Sequence, residues 1–285
     1  MQEFRVNILK IGGRTMRENA IGVFDSGVGG LTVAREIMNQ LPNENIVYFG
    51  DTARVPYGSK SKDTIVTFSR QIVDFLRTKN VKAIVIACNT ASALALETLE
   101  QECDIPIIGV IEPGARTAAK TTVNNKIGII GTVATVNSGI YTQYLRNMKP
   151  DALVYSKACP LFCPLVEENW LYDSVTIEIA ERYLGELKDY GVDTLILGCT
   201  HYPLLRHTIQ KVMGDEVQLV NPAYETALKL KNVLEEKNLA KLTWTGNDHK
   251  FYVSDDADKF KVFANSILPC EVLETGYVNI EQYNG

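Results

Sequence analysis

The chain is expected to fold as two copies of a doubly wound α/β unit with mainly parallel sheets. Three observations carry that expectation. Apolar runs of strand length alternate with amphipathic helical segments. The runs are apolar at nearly every position, as in strands covered on both faces. The second half of the chain also repeats the first in order, though faintly in identity.

The strand runs are Ile21 to Phe24, Ile46 to Phe49, Ala83 to Ala87, Ile107 to Val110, Ile127 to Ile130, Thr194 to Leu197 and Val217 to Val220. Between the second and third, residues 61 to 79 place Ile65, Phe68, Ile72, Phe75 and Leu76 on one helical stripe, with Ser61 and Asp63 near its start, which predicts a crossover helix. The repeat aligns Ile21-Gly-Val-Phe with Ile127-Gly-Ile-Ile at an offset of 106, Val81-Lys-Ala-Ile-Val-Ile-Ala-Cys with Val192-Asp-Thr-Leu-Ile-Leu-Gly-Cys at 111, and Val110-Ile-Glu-Pro with Leu219-Val-Asn-Pro at 109. Pro113-Gly114 punctuates the two copies. The remainder after Pro222, with a helical stretch from Tyr224 to Lys237, is expected to pack back on the first copy. The domains expected are therefore 20–113 plus 223–285, and 114–222, with 1–19 as an N-terminal extension.

Composition narrows the function. With 285 residues, 46% hydrophobic and 22% charged, the chain matches soluble globular domains rather than disordered or fibrous ones. A formal charge of −5 without a basic block argues against nucleic acid as the primary ligand. The longest apolar runs fall far below the roughly 18 residues of a membrane helix, and the scattered charges of residues 1 to 19 do not fit a signal peptide. Six cysteines without a secretory signal read as reduced thiols, which points to the cytoplasm.

In doubly wound sheets, ligands bind beyond the carboxyl ends of the strands. Cys88 and Cys199 stand there at equivalent points of the two copies, followed by Asn89-Thr90 and Thr200-His201. If the halves face each other, the two thiols meet one pocket from opposite sides, suited to moving a proton on both faces of one carbon. Placement before a helix N-terminus is expected to lower their pKa. Cys103 and Cys270 read as packing residues. Cys159 and Cys163 are spaced C-x-x-x-C with no second Cys/His pair at ligand spacing, so no metal is expected.

The first strand ends in Asp25-Ser-Gly-Val-Gly-Gly30, whose glycines permit a tight turn and close approach to a ligand. A dinucleotide loop would need a third glycine at Thr32, and Asp25 would repel phosphate while suiting an ammonium group or a proton near a thiol. After the second strand, the backbone near Tyr57 and Gly58 can bind a carboxylate. Glu167 stands in an otherwise apolar segment, as a perturbed acid would. His201, two residues past Cys199, is placed to orient or deprotonate a neighbour, a context that His207 and His249 lack.

These motifs together resemble the glutamate racemases of the cofactor-independent aspartate/glutamate racemase superfamily. The resemblance runs from Ile21 to about Leu273. It rests on Gly22-Val-Phe-Asp-Ser-Gly-Val-Gly-Gly-Leu31, Gly50-Asp-Thr-Ala-Arg-Val-Pro-Tyr-Gly58, Ile86-Ala-Cys-Asn-Thr-Ala91, Gly109-Val-Ile-Glu-Pro-Gly114, Pro164-Leu-Val-Glu167 and Gly198-Cys-Thr-His-Tyr-Pro203. It implies two pseudo-symmetric domains with the active site in the cleft between them, and interconversion of L- and D-glutamate without a cofactor, supplying D-glutamate for peptidoglycan, in a homodimer. It further implies that Cys88 acts on the D-enantiomer and Cys199 on the L-enantiomer. Asp25 would assist Cys88, Glu167 and His201 would assist Cys199, and Asp51 would be a second-tier catalytic residue. Asp25, Ser26, Pro56, Tyr57, Gly58, Cys88, Asn89, Thr90, Cys199, Thr200 and His201 would bind substrate. Such chains usually begin a few residues before the first strand, which makes Met16 a candidate start.

Other readings of the same residues are a racemase of aspartate or another small amino acid, a two-domain solute-binding or sensor protein that closes on its ligand, and a thiol redox enzyme. The last lacks the closely paired cysteines that such chemistry uses.

Overall fold

The computed structural model describes residues 10–11, 14–246 and 248–284. Residues 1–9 and 12–13 of the proposed N-terminal extension lie outside the described residues, and Lys10–Ile11 pairs antiparallel with Arg14–Thr15. Two parallel sheets carry the fold. The first contains β1 (Ile21–Asp25), β2 (Ile46–Gly50), β3 (Ala83–Ile86) and β4 (Ile107–Gly109). The second contains β5 (Lys126–Gly131), β6 (Leu153–Ala158), β7 (Thr194–Gly198) and β8 (Gln218–Val220). Near the end of the chain, β9 (Lys250–Val253) and β10 (Gly276–Tyr277) extend the first sheet beyond β2.

The sheet orders, β10-β9-β2-β1-β3-β4 and β6-β5-β7-β8, make the repeat literal, since β2-β1-β3-β4 and β6-β5-β7-β8 are the same winding. All seven apolar runs form strands. In the two parallel sheets, three strands escaped the sequence reading, and each has a physical reason. At the sheet edge, β6 is at least partly exposed along its whole length (Leu153-Val-Tyr-Ser-Lys-Ala158), so it carries no continuous apolar run. The four-residue β9 has an exposed lysine at its start, and β10 has only two residues.

The helices cover both faces. Ser61 caps α2 (Lys62–Thr78) by accepting from Thr64 N at 3.3 Å. Its buried stripe runs through Ile65, Ile72, Phe75 and Leu76, as the spacing predicts, but Phe68 is only half-buried, with the Arg54 guanidinium 3.9 Å above its ring. The segment from Tyr224 lies in α6 (Pro222–Glu236), which packs on α1 (Leu31–Gln40) and on α4 (Ile111–Thr121). Around these helices one apolar cluster runs continuously from Val23 and Val85 of the first sheet to Ile129 and Ile196 of the second. The outer faces have their own clusters, around Phe49, Ile72 and Phe75 on one sheet and Phe162, Leu184 and Leu197 on the other.

Candidate active site

The carboxyl ends of β1, β2, β3, β5, β6 and β7 lead into the walls of one cavity of about 60 Å³. Its walls are Ser26, Val55, Pro56, Tyr57, Gly58, Cys88, Asn89 and Thr90 from the first sheet's loops, and Thr132, Cys163, Glu167, Cys199, Thr200 and His201 from the second's. A hollow of about 710 Å³ near Met16, Lys79 and Asp248 is larger, but it lies at the amino ends of the strands, where this architecture does not place ligands.

Cys88 is the N-cap of α3 (Asn89–Leu94), its sulfur accepting from Ala91 N at 3.5 Å. The expected lowering of the thiol pKa does not occur. Burial and the neighbouring Asp25 carboxylate push the Cys88 thiol up to about 12, against smaller opposing effects of the Ala91 amide and Ser26. Cys199 is also pushed up, by its hydrogen bond with Cys163 and by burial. A six-residue helix supplies too little positive field to offset a desolvated thiolate beside another negative group.

Asp25 is fully buried behind the cavity wall rather than on it. Its Oδ2 accepts from Gly27 N and Gly30 N, both at 3.0 Å, so the loop that resembled a phosphate cradle is already filled by its own carboxylate. Burial raises the Asp25 pKa, while His201 and these amides oppose the rise. The close approach served by the glycines is to the other sheet's loop: a Cβ on Gly29 would stand 2.5 Å from His201 Nδ1. Thr32 Oγ1, in α1, donates to Thr200 O at 3.1 Å across the same seam.

On the Cys199 side, the sulfur lies 3.8 Å from His201 Nδ1, and His201 Nε2 lies 3.1 Å from Glu167 Oε1. Burial lowers the His201 pKa, but its bonds to Cys199 and Glu167 outweigh this and raise it to about 10; the same bond holds Glu167 below its usual value. Asn89 is braced across the cleft by the Tyr141 hydroxyl, which donates to its Oδ1 at 2.7 Å, and Thr90 Oγ1 meets Thr132 Oγ1 at 2.9 Å.

The structure sets Asp51 apart from the others. Buried and off the cavity wall, it accepts from Arg54 Nε at 2.7 Å, from Ser254 Oγ at 2.8 Å and from the Tyr57 hydroxyl. It holds the Tyr57 loop instead of facing the thiols. Three wall residues were missed by the sequence reading: Val55, Thr132 and Cys163. Thr132, the N-cap of α5 (Val133–Asn137), had a signal in its place after the repeat's Ile127 to Ile130 run. Cys163 had been read only with Cys159, but its sulfur lies 3.6 Å from that of Cys199, 36 residues away. Cys159 is buried separately, 3.7 Å from Lys157 O.

The Asp/Glu/Hydantoin racemase family model matches residues 21–228. The chain is 47% identical over 262 residues to a glutamate racemase of Geobacter metallireducens, covering 92% of this chain and 97% of that protein. It is 50% identical over 253 residues to one from Neisseria meningitidis, covering 88% and 93% respectively. The crystal structure of a glutamate racemase isoform from Bacillus anthracis superposes with a TM-score of 0.89 at 40% identity, covering 92% of this chain and 98% of that one. Glutamate racemase from Francisella tularensis in complex with D-glutamate gives 0.88 at 38%, covering 94% and 100%.

Proposed function

The chain belongs to the Asp/Glu/Hydantoin racemase family, and from that premise we propose that it inverts the α-carbon of glutamate with two thiols, one on each face of the substrate. It is an amino-acid racemase, an isomerase, acting on glutamate. The observation that carries the two-thiol mechanism is that Cys88 and Cys199 line one cavity from opposite sheets.

The α-proton of an amino acid is very weakly acidic, so a site without an electron sink must stabilise the developing carbanion by positioning and electrostatics. A single base would return the proton to the face it left. With one thiol ionised and the other protonated, removal on one face and delivery on the other give inversion, and the roles exchange in the reverse direction. In this reading Cys199 takes the proton of L-glutamate and Cys88 that of D-glutamate. The Glu167–His201 pair stabilises the Cys199 thiolate, and Asp25 influences Cys88 from behind the wall. Asp51 acts through Tyr57 as a positioning residue. Ser26, Pro56, Tyr57, Gly58, Asn89, Thr90 and Thr200 contact the substrate, with the Tyr57-Gly58 backbone offered to a carboxylate.

The raised thiol pKa values fit a cycle in which the incoming ammonium group favours the thiolate. The cavity of about 60 Å³ is well below the 300–1,000 Å³ usual for small-molecule sites, which supports a cycle of parting to admit substrate and closing to exclude water. Supply of D-glutamate for peptidoglycan, a cytoplasmic location and a homodimer belong to the same reading. Six unpaired cysteines, two of them proposed as reactive, suit reducing surroundings.

The test is incubation with L-glutamate in D₂O in the absence of pyridoxal phosphate and added metals, following optical rotation and the Cα proton by NMR together. Rotation falling to zero as deuterium enters Cα is the expected result. Exchange with aspartate but not glutamate would move the substrate, and exchange with neither would overturn the reading.

A further inference from the structure

We propose that Cys163, Cys199 and His201 form a binding site for a thiophilic divalent cation, with Zn²⁺ as the fitting ion, and that its occupation withdraws Cys199 from proton transfer. The inhibitory consequence rests on the racemase reading above; the binding site does not.

The geometry points there directly. One ligand atom from each of the three side chains lies within 4.8 Å of the other two. In a tetrahedral zinc site, metal–sulfur bonds of about 2.3 Å and metal–nitrogen bonds of about 2.0–2.1 Å set two sulfurs about 3.8 Å apart and a sulfur and a nitrogen about 3.5 Å apart. The observed edges are 3.6 Å for Cys163 Sγ to Cys199 Sγ and 3.8 Å for Cys199 Sγ to His201 Nδ1. A metal-bound histidine usually presents its second ring nitrogen to a carboxylate, which fixes its orientation. Glu167 already does this, with Oε1 3.1 Å from Nε2 on the far edge of the ring. Two sulfurs and an imidazole select zinc-like ions over Mg²⁺ or Ca²⁺, which prefer oxygen. All three ligands line the cavity, so a fourth position remains for water or a carboxylate.

The exchange balances simply. Each thiol and the Nδ1–H of the His201 imidazolium release a proton to solvent as the cation binds, and Nε2–H stays directed at Glu167. Nothing is oxidised. The C-x-x-x-C spacing plays no part, because Cys159 is turned to the Lys157 carbonyl.

The test is a Co²⁺ titration of the full chain, stripped with EDTA and kept reduced. The expected result is one equivalent bound with a near-ultraviolet thiolate-to-cobalt band, displaced by Zn²⁺ and absent in Cys163→Ala. In parallel, Zn²⁺ should inhibit racemisation and EDTA should restore it. Cys163→Ala, compared with its own zinc-free rate, should require at least tenfold more Zn²⁺ for half-inhibition. An undiminished band in Cys163→Ala, equal zinc sensitivity of the two proteins, or inhibition reversed by a phosphine reductant but not by EDTA would each overturn the site. If racemisation itself fails, the cobalt titration still decides the binding.

Discussion

Glu167 and His201 form an ion pair on the cavity wall, Oε1 to Nε2 at 3.1 Å, while the opposite ring nitrogen of His201 faces Cys199. The carboxylate therefore sets both the orientation and the charge of the imidazole beside the thiol. Glu167→Gln should lower kcat/KM for glutamate about 10–100-fold. The equilibrium constant of a racemisation is unity, so the loss must be equal from L- and from D-glutamate. Circular dichroism assays from both enantiomers check it, and an undiminished rate would remove Glu167 from the mechanism.

Cys88→Ser and Cys199→Ser should each abolish measurable racemisation, a loss of at least about 10³-fold, because a serine hydroxyl is a far weaker acid than a thiol. One of the two variants is expected to retain hydrogen–deuterium exchange on a single enantiomer without inversion. NMR in D₂O on pure L- and pure D-glutamate reads this, and full racemisation by either variant would rule out two thiols.

Burial and Asp25 both favour the protonated Cys88 thiol, whose pKa is pushed up to about 12. Far below such a pKa the thiolate fraction grows about tenfold per pH unit. The value of kcat/KM, which reports the free enzyme, should accordingly climb from pH 7 to 8.5 without a plateau. Removing the negative charge in Asp25→Asn should shift that limb to lower pH. A flat wild-type profile would contradict the assignment.

Gly29 has no room for a side chain, since its Cβ would press on Thr200 and His201 of the opposite loop. Gly29→Ala should cost about 1–3 kcal/mol, as overpacking does, and should cut racemisation more sharply than it cuts stability because it forces the two loops apart. Urea unfolding beside a rate measurement separates the two effects.

The Tyr141 hydroxyl donates to Asn89 Oδ1 across the cleft. Tyr141→Phe leaves that buried acceptor unpaired and should destabilise by about 1–3 kcal/mol, with a higher KM as Asn89 loosens. An unchanged unfolding midpoint would show that Asn89 finds another donor.

The strands and the pairing of Cys88 with Cys199 were legible because both are local signals: an apolar run covered on both faces, and a reactive residue just past its end. The edge strand β6 was not, because its exposed positions carry no such run. Phe68 obeyed the helical spacing but is only half-buried, with its ring facing the Arg54 guanidinium.

Periodicity and the internal repeat together were enough to indicate two copies of one α/β unit, and the motifs at their strand ends pointed to most of the residues that gather. Tertiary structure decided what those residues experience. It turned Asp51 toward Tyr57, Arg54 and Ser254, filled the glycine loop with the Asp25 carboxylate, and brought Cys163 to Cys199. It also reversed the direction of the thiol pKa shifts. The physical reason is common to all four. Hydrophobic period is written along the chain, whereas desolvation and charge neighbours depend on which distant segments close over a group.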